Sequence, residues 1–188
     1  MAGGRLLLLG FELGDRHHDG NLEDLARHFG IHPAADIVGP RSHGPTKPYD
    51  VPVDFQVADG EPHPLTQNLS TIRLSNVQTI RVEPGGTEWL RVGKNVVYRP
   101  TRSSVVYRQG TLTQPRSQEF DQNVEAGWLP VAVEAPSGLC GDGAVHAMGT
   151  WDLLRRPNAR HNEDNLRLLE RLLDWLSRHP PDTSEAGG

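Results

Sequence analysis

Two loops hold most of the side chains in this chain that could do chemistry. The first, residues 11–20, carries Asp15, His17, His18 and Asp19. The second follows the apolar run Ala144–Gly149 and brings Trp151, Asp152, His161 and Glu163. Imidazole and carboxylate donors suit zinc or iron when three of them converge beside an open coordination position. The same groups can serve as a general acid–base pair. A plainer reading also fits, in which His17 and His18 decorate a solvated loop while Asp19 and Asp164 cap helices. No spaced motif of the H-E-x-x-H kind is present, so no metal and no other cofactor is expected. Asp15, His17, His18, Asp19, Trp151, Asp152 and His161 are therefore read as candidate ligand-binding groups. Trp151, beside a loop at a strand's carboxyl end, is the one placed to stack on a ligand.

Cys140 is the only thiol. Paired with His161-Asn162-Glu163 it has the composition of a Cys-His-Glu triad, but the order of elements is wrong. A nucleophile elbow needs strand, tight turn and then a helix whose N-terminus favours the thiolate. Here Gly138-Leu139-Cys140-Gly141 leads into Ala144–Gly149, which reads as another strand. Pro136–Gly143 is thus a hairpin loop, its glycines are turn residues, and no catalytic residue is expected. Nor is there a Gly-x-Gly-x-x-Gly after a strand, a phosphate loop or a Gly-x-Ser-x-Gly.

The elements that must position these groups can be read from periodicity. Arg5–Gly10 is a continuous apolar run, as in a strand buried on both faces. A helix with Leu22, Leu25, Ala26 and Phe29 as its buried stripe follows, with Asp19 or Asn21 as cap and Gly30 just past its end. From Pro33 to Asp59 the apolar runs are too short for helices. Asp36-Ile37-Val38 is the best strand there, and Val51–Val57 alternates as a strand whose Pro52 indicates a sheet edge. Thr71–Leu74, Val77–Val82, Trp89–Val92, Val96–Tyr98 and Val105–Tyr107 form a β-rich stretch separated by Gly-containing turns. Gln109–Asn123 reads as a polar loop. Leu129–Ala135 and Ala144–Gly149 pair around Pro136–Gly143. The last helix carries Leu166, Leu169, Leu173 and Leu176 on its main face, widened by Leu168, Leu172 and Trp175, which leaves room for a partner contact. Residues 180–188 read as a disordered tail.

The formal charge of −5 and pI of about 6.0 argue against a nucleic-acid partner. Arg99, Arg102 and Arg108 cluster, but as a solvated strand face. A single cysteine excludes an internal disulfide or a multi-thiolate metal site and points to the cytoplasm. The longest purely apolar stretch is Leu6–Leu9, too short for membrane insertion or a secretory signal.

Three segments resemble a known group, the class I glutamine-amidotransferase-like domains of the intraflagellar-transport and gliding-motility type. Gly3–Gly10 with Asn21–Ile31 is similar to that family's strand, loop and N-x-L-L-x-x-F-G-I helix. His63-Pro64-Leu65-Thr66 resembles its H-P-L-T motif, and Asp164-Asn165-Leu166 through Trp175-Leu176 its closing helix. The resemblance implies an α/β fold of flavodoxin-like, amidotransferase-like architecture with a parallel sheet. It also implies βα units before the Gly-Gly strand, and only Met1 and Ala2 stand there. Three readings stay open: a fragment, a partner or second copy that covers the first strand, or a compact variant.

Together these readings give a single domain over 1–179 with a β-rich insertion at about 51–135. The expected function is a non-catalytic ligand- or protein-binding module within a larger assembly. A protein partner or self-association is expected, with a small-molecule ligand possible. The competing class is a hydrolase or metal-dependent enzyme using the His/Asp loop.

Overall fold

The structure is a computed structural model and describes residues 3–10, 21–40, 52–58, 63–93, 95–100, 120–123, 129–154 and 162–178. In chain order the first elements are β1 (Arg5–Leu9), α1 (Leu22–Arg27), β2 (Ile31–Pro33), β3 (Ile37–Gly39), β4 (Val53–Val57), β5 (Thr71–Leu74), β6 (Ile80–Val82) and β7 (Thr87–Arg91). Then come β8 (Val96–Pro100), β9 (Phe120–Asn123), β10 (Pro130–Glu134), β11 (Ala144–Met148) and α2 (Glu163–Ser177). The expected strands at Val105–Tyr107 and the tail at 180–188 lie outside the described residues.

The leucine run forms β1, which pairs in parallel with β11 from Arg5↔Ala144 to Leu9↔Met148. Its side chains alternate: Leu7 and Leu9 pack on the larger core, Leu6 and Leu8 on the smaller one. Both faces are covered, as the unbroken apolar run requires. Only Leu8 is fully buried, however, because among the described residues β1 is the end strand of the six-stranded sheet β1-β11-β10-β7-β4-β5. An end strand has a neighbour on one side only.

The expected parallel sheet reduces to this one pair among the described strands. The pairs β11–β10, β10–β7, β7–β4 and β4–β5 are all antiparallel. Parallel neighbours need long crossovers, and the middle of the chain supplies short Gly- and Pro-containing turns instead. The strands of the β-rich stretch do not stand apart; β4, β5, β7 and β10 complete the sheet that β1 and β11 begin. Two small sheets, β2-β6 and β3-β8-β9, lie beside it. Pro52 precedes β4 rather than marking an edge, since β4 sits between β7 and β5. Part of the expected polar loop, Phe120–Asn123, is strand β9 paired with β8. At the end of α1, Gly30 has φ +65, the left-handed conformation its position calls for.

Helix α2 is turned relative to the expectation. Asn165, Leu168 and Leu172 are its buried residues, whereas Leu166, Leu173 and Leu176 are 45%, 54% and 38% exposed. The apolar arc spans about half the helix, so hydrophobicity alone leaves the rotation open. Polar side chains at its start decide it. Asn165 accepts from Arg73 N (2.8 Å) and donates to Arg73 O (2.6 Å), as a neighbouring strand would. Asp164 Oδ2 accepts from Ser70 N, Ser70 Oγ and Thr71 N. Asn162 Nδ2 donates to Thr71 O while Asn162 Oδ1 accepts the Asn165 N–H. Asn162 is therefore the cap, and Asp164, expected to cap, ties the helix to the start of β5, which pairs with β4 on its other side. These bonds also blunt a sheet edge.

Candidate functional site

The parallel register of β1 and β11 puts the carboxyl ends of both strands at one sheet edge. Asp15, His17, His18, Asp19 and His161 lie outside the described residues. Trp151 stands at that edge, 38% exposed. Asp152 is fully buried; its Oδ2 accepts from Ser75 Oγ at 2.5 Å and Asn76 Nδ2 at 3.2 Å. Thr150 Oγ1 receives the Asp152 N–H and donates to the Ser75 carbonyl. This network holds the 75–76 turn, where Asn76 takes a positive φ of 53°. Glu163 is an exposed residue of α2 paired with Arg167.

Cys140 follows the 3-10 turn Ser137–Leu139 between antiparallel β10 and β11. Its Sγ donates to the Pro136 carbonyl at 3.5 Å. Burial pushes the thiol pKa up, and the Glu134 charge adds to this against a backbone hydrogen bond at Val145. That is the opposite of what an activated nucleophile needs.

Among the described residues one group of three potential metal-ligating side chains comes together: His63, Glu134 and His146, with their ligating atoms within 4.8 Å of one another. Each arrives from a different element. Glu134 and His146 are opposite partners in the β10–β11 pairing. His63 begins the turn before β5, where its carbonyl accepts from Thr66 N and Gln67 N. His63 Nδ1 accepts the Leu65 N–H at 3.2 Å. The ring proton therefore sits on Nε2, which donates to Glu134 Oε2, also at 3.2 Å. Aromatic rings wall the group. His63 stacks on Trp89 with centroids 5.7 Å apart, and His146 meets the Trp175 ring edge-on at 4.3 Å. Arg5 from β1 lies over Trp175, 5.5 Å from its centroid, and donates to the Trp175 carbonyl.

The electrostatics separate the two hairpin partners. The hydrogen bond from His63 holds the Glu134 carboxyl below its ordinary range, against the opposing effect of burial. Burial pushes His146 down to about 4; the Glu134 charge and a backbone hydrogen bond at Val133 pull the other way, while His63 and Arg5 add to the lowering. At neutral pH the carboxylate is charged and the imidazole beside it is not. His146 is 2% exposed, and its Nδ1 has no hydrogen-bond partner. Trp89 Nε1 is likewise buried without one. A neutral imidazole next to a carboxylate and a second imidazole can accept a proton or ligate a cation.

Sequence reading passed over this group. In the sequence His63 stands out only through its H-P-L-T motif, and His146 and Glu134 only as parts of apolar strands. Two of the three could have been found, because a hairpin around Pro136–Gly143 sets the polar residues of both strands opposite each other. Nothing local ties His63 to them.

No family model and no curated protein matches the chain. Among solved structures the fold is similar to the mmIFT52 N-terminal domain, with TM-score 0.62 and 17% identity, over 94% of this chain and 66% of that one. The chain thus spans just under two thirds of that neighbour's length. An intraflagellar-transport-type α/β fold, expected from the sequence motifs, is what this likeness supports.

Proposed function

We propose that this chain is a non-catalytic protein-binding module that works inside a larger assembly. The observation that carries the reading is the outward face of α2. Leu166, Leu173 and Leu176 are exposed; with Leu169, which also packs partly against the core, they follow the three-four-three spacing of a seam against which a second helix packs. Leu154 and Trp151, also exposed, lie just before that helix in the chain. Exposed apolar side chains grouped in this way mark interaction surfaces, and the occupant that fits a leucine seam is an amphipathic helix of a partner protein. The likeness to the mmIFT52 N-terminal domain supports the reading through the fold.

The reading keeps an amidotransferase-like, flavodoxin-related class, supported by the parallel β1–β11 pair with helices after each strand. It keeps one domain over 1–179, with residues about 51–135 as its β-rich part, and a tail at 180–188. A small-molecule ligand, if taken, belongs at the loop edge with Asp15, His17, His18, Asp19, Trp151 and His161. The single cysteine favours a cytoplasmic setting. Among the described residues no helix is long and apolar enough to cross a membrane.

The test is the native mass of the tagged, crosslinked chain recovered from its own cells, compared with a Leu166→Glu/Leu173→Glu variant. Wild type should run as a complex containing a second protein, and the variant as the free chain. A folded wild-type chain that runs alone sinks the reading, and a homo-oligomer dissolved by the variant replaces the partner with a second copy.

A further inference from the structure

We propose that His63, Glu134 and His146 bind one divalent transition-metal ion of the zinc type. This goes beyond the module reading, and neither depends on the other. It also departs from the expectation of a chain without metal.

The donor set is two imidazoles and a carboxylate, the combination that holds zinc in open sites with a fourth position for water. The three ligating atoms lie within 4.8 Å of one another before any ion draws them in. Bonds of about 2.0–2.1 Å in a tetrahedral site put neighbouring ligands about 3.3–3.4 Å apart. The His63 Nε2 to Glu134 Oε2 separation, 3.2 Å, is already close to that edge. Glu134 and His146 stand on adjacent strands in register, so two of the three donors are fixed by the sheet ladder itself.

A hydrogen-bonded pair alone accounts for less of the geometry. His63 and Glu134 satisfy each other, and the His146 ring has a backbone hydrogen bond at Val133, but no hydrogen bond of good geometry reaches its buried Nδ1. Buried polar atoms are seldom left so. A cation shared by the three side chains turns both imidazoles toward one partner and neutralises the Glu134 charge. Trp89 and Trp175 pack against the imidazoles of the site, keeping water down and strengthening each bond to the ion.

The proposal has a specific structural consequence. Coordination through His63 Nε2 displaces the proton now donated to Glu134, and a neutral ring then carries its proton on Nδ1. Nδ1 can no longer accept from Leu65 N, so the Leu65 amide must find another acceptor when metal binds. A metal held elsewhere on the chain leaves that amide undisturbed.

The experiment strips the full chain with chelator, then titrates Co(II) by visible absorption and Zn(II) by calorimetry, while the Leu65 amide is followed by NMR. Expected are one equivalent per chain, a dissociation constant in the micromolar range or tighter, four-coordinate Co(II) bands and a shifted Leu65 resonance. Glu134→Gln and His63→Gln should each weaken binding at least about tenfold. A His17→Ala/His18→Ala variant should bind as wild type. Folded chain that takes up no metal overturns the proposal. So does uptake that leaves Leu65 unmoved, or that is lost in the His17/His18 variant. Should the site variants fail to fold, the Leu65 resonance of the wild-type chain decides the matter.

Discussion

Glu134 and His146 face each other as Cα partners across the β10–β11 hairpin, a carboxylate beside an imidazole in an otherwise apolar ladder. Their environments push them apart. A hydrogen bond from His63 keeps Glu134 ionised, and burial keeps His146 neutral. Here the polar pair is placed where Trp175 of the closing helix and His63 of a distant turn both reach it.

The rotation of α2 can be tested by truncation on its two faces. Leu168→Ala and Leu172→Ala should each cost about 3 kcal/mol, as buried leucines do when a cavity is left behind. Leu166→Ala and Leu173→Ala, on the exposed face, should stay within about 0.5 kcal/mol. Urea unfolding of the four variants measures this, and equal losses on both faces would contradict the orientation.

Asp164 should make the tether between α2 and β5 pH-dependent. Backbone hydrogen bonds from Ser70 and Thr71 lower its pKa in the folded chain. The unfolded chain then binds more protons near pH 4, so the stabilisation is present above the unfolded value of about 3.9 and fades as pH falls through the folded one. Wild type should exceed Asp164→Asn in melting temperature at pH 7, and the gap should close on acidification. A gap that widens below pH 4 would refute the assignment.

Asp152→Ala should destabilise rather than merely alter a surface. Removing the carboxylate leaves Ser75 Oγ and Asn76 Nδ2 without that acceptor in a buried site, at about 3 kcal/mol. Denaturant unfolding reads the loss. If stability is unchanged, the network is not structural, and Asp152 returns as a candidate for ligand chemistry.

Gly149→Ala tests the close approach of β11 to the 78–79 segment. A Cβ there would overlap the Gln78 carbonyl oxygen, while Gly149 O accepts from Gln78 N at 2.8 Å. The backbone would have to part, and we expect at least about 3 kcal/mol lost or no folded protein. Gly138→Ala, with open space around its Cβ position, is the matched control and should melt within a few degrees of wild type.

The sequence by itself determined the local elements. The run Leu6–Leu9 could only be a strand covered on both faces, and Gly30 in its left-handed conformation marks where α1 must end. Gly and Pro between Pro136 and Gly143 turn the chain back on itself, which gave the last hairpin and ruled out an elbow at Cys140. The heptad-like leucines announced a long final helix. Each of these follows from interactions within a few residues, where periodicity and turn chemistry are strong. Only the tertiary structure decided which side of α2 is buried, because its apolar arc is wide and the choice fell to Asn162, Asp164 and Asn165 bonding to residues 70–73. It also decided that β10, β7, β4 and β5 join the main sheet antiparallel, and that Asp152 serves Ser75 and Asn76. The meeting of His63 with Glu134, 71 residues apart in the chain, belongs to the same class. A polar side chain carries no local mark of its distant partner, so the partner appears only once the sheet and helix have brought the chain together.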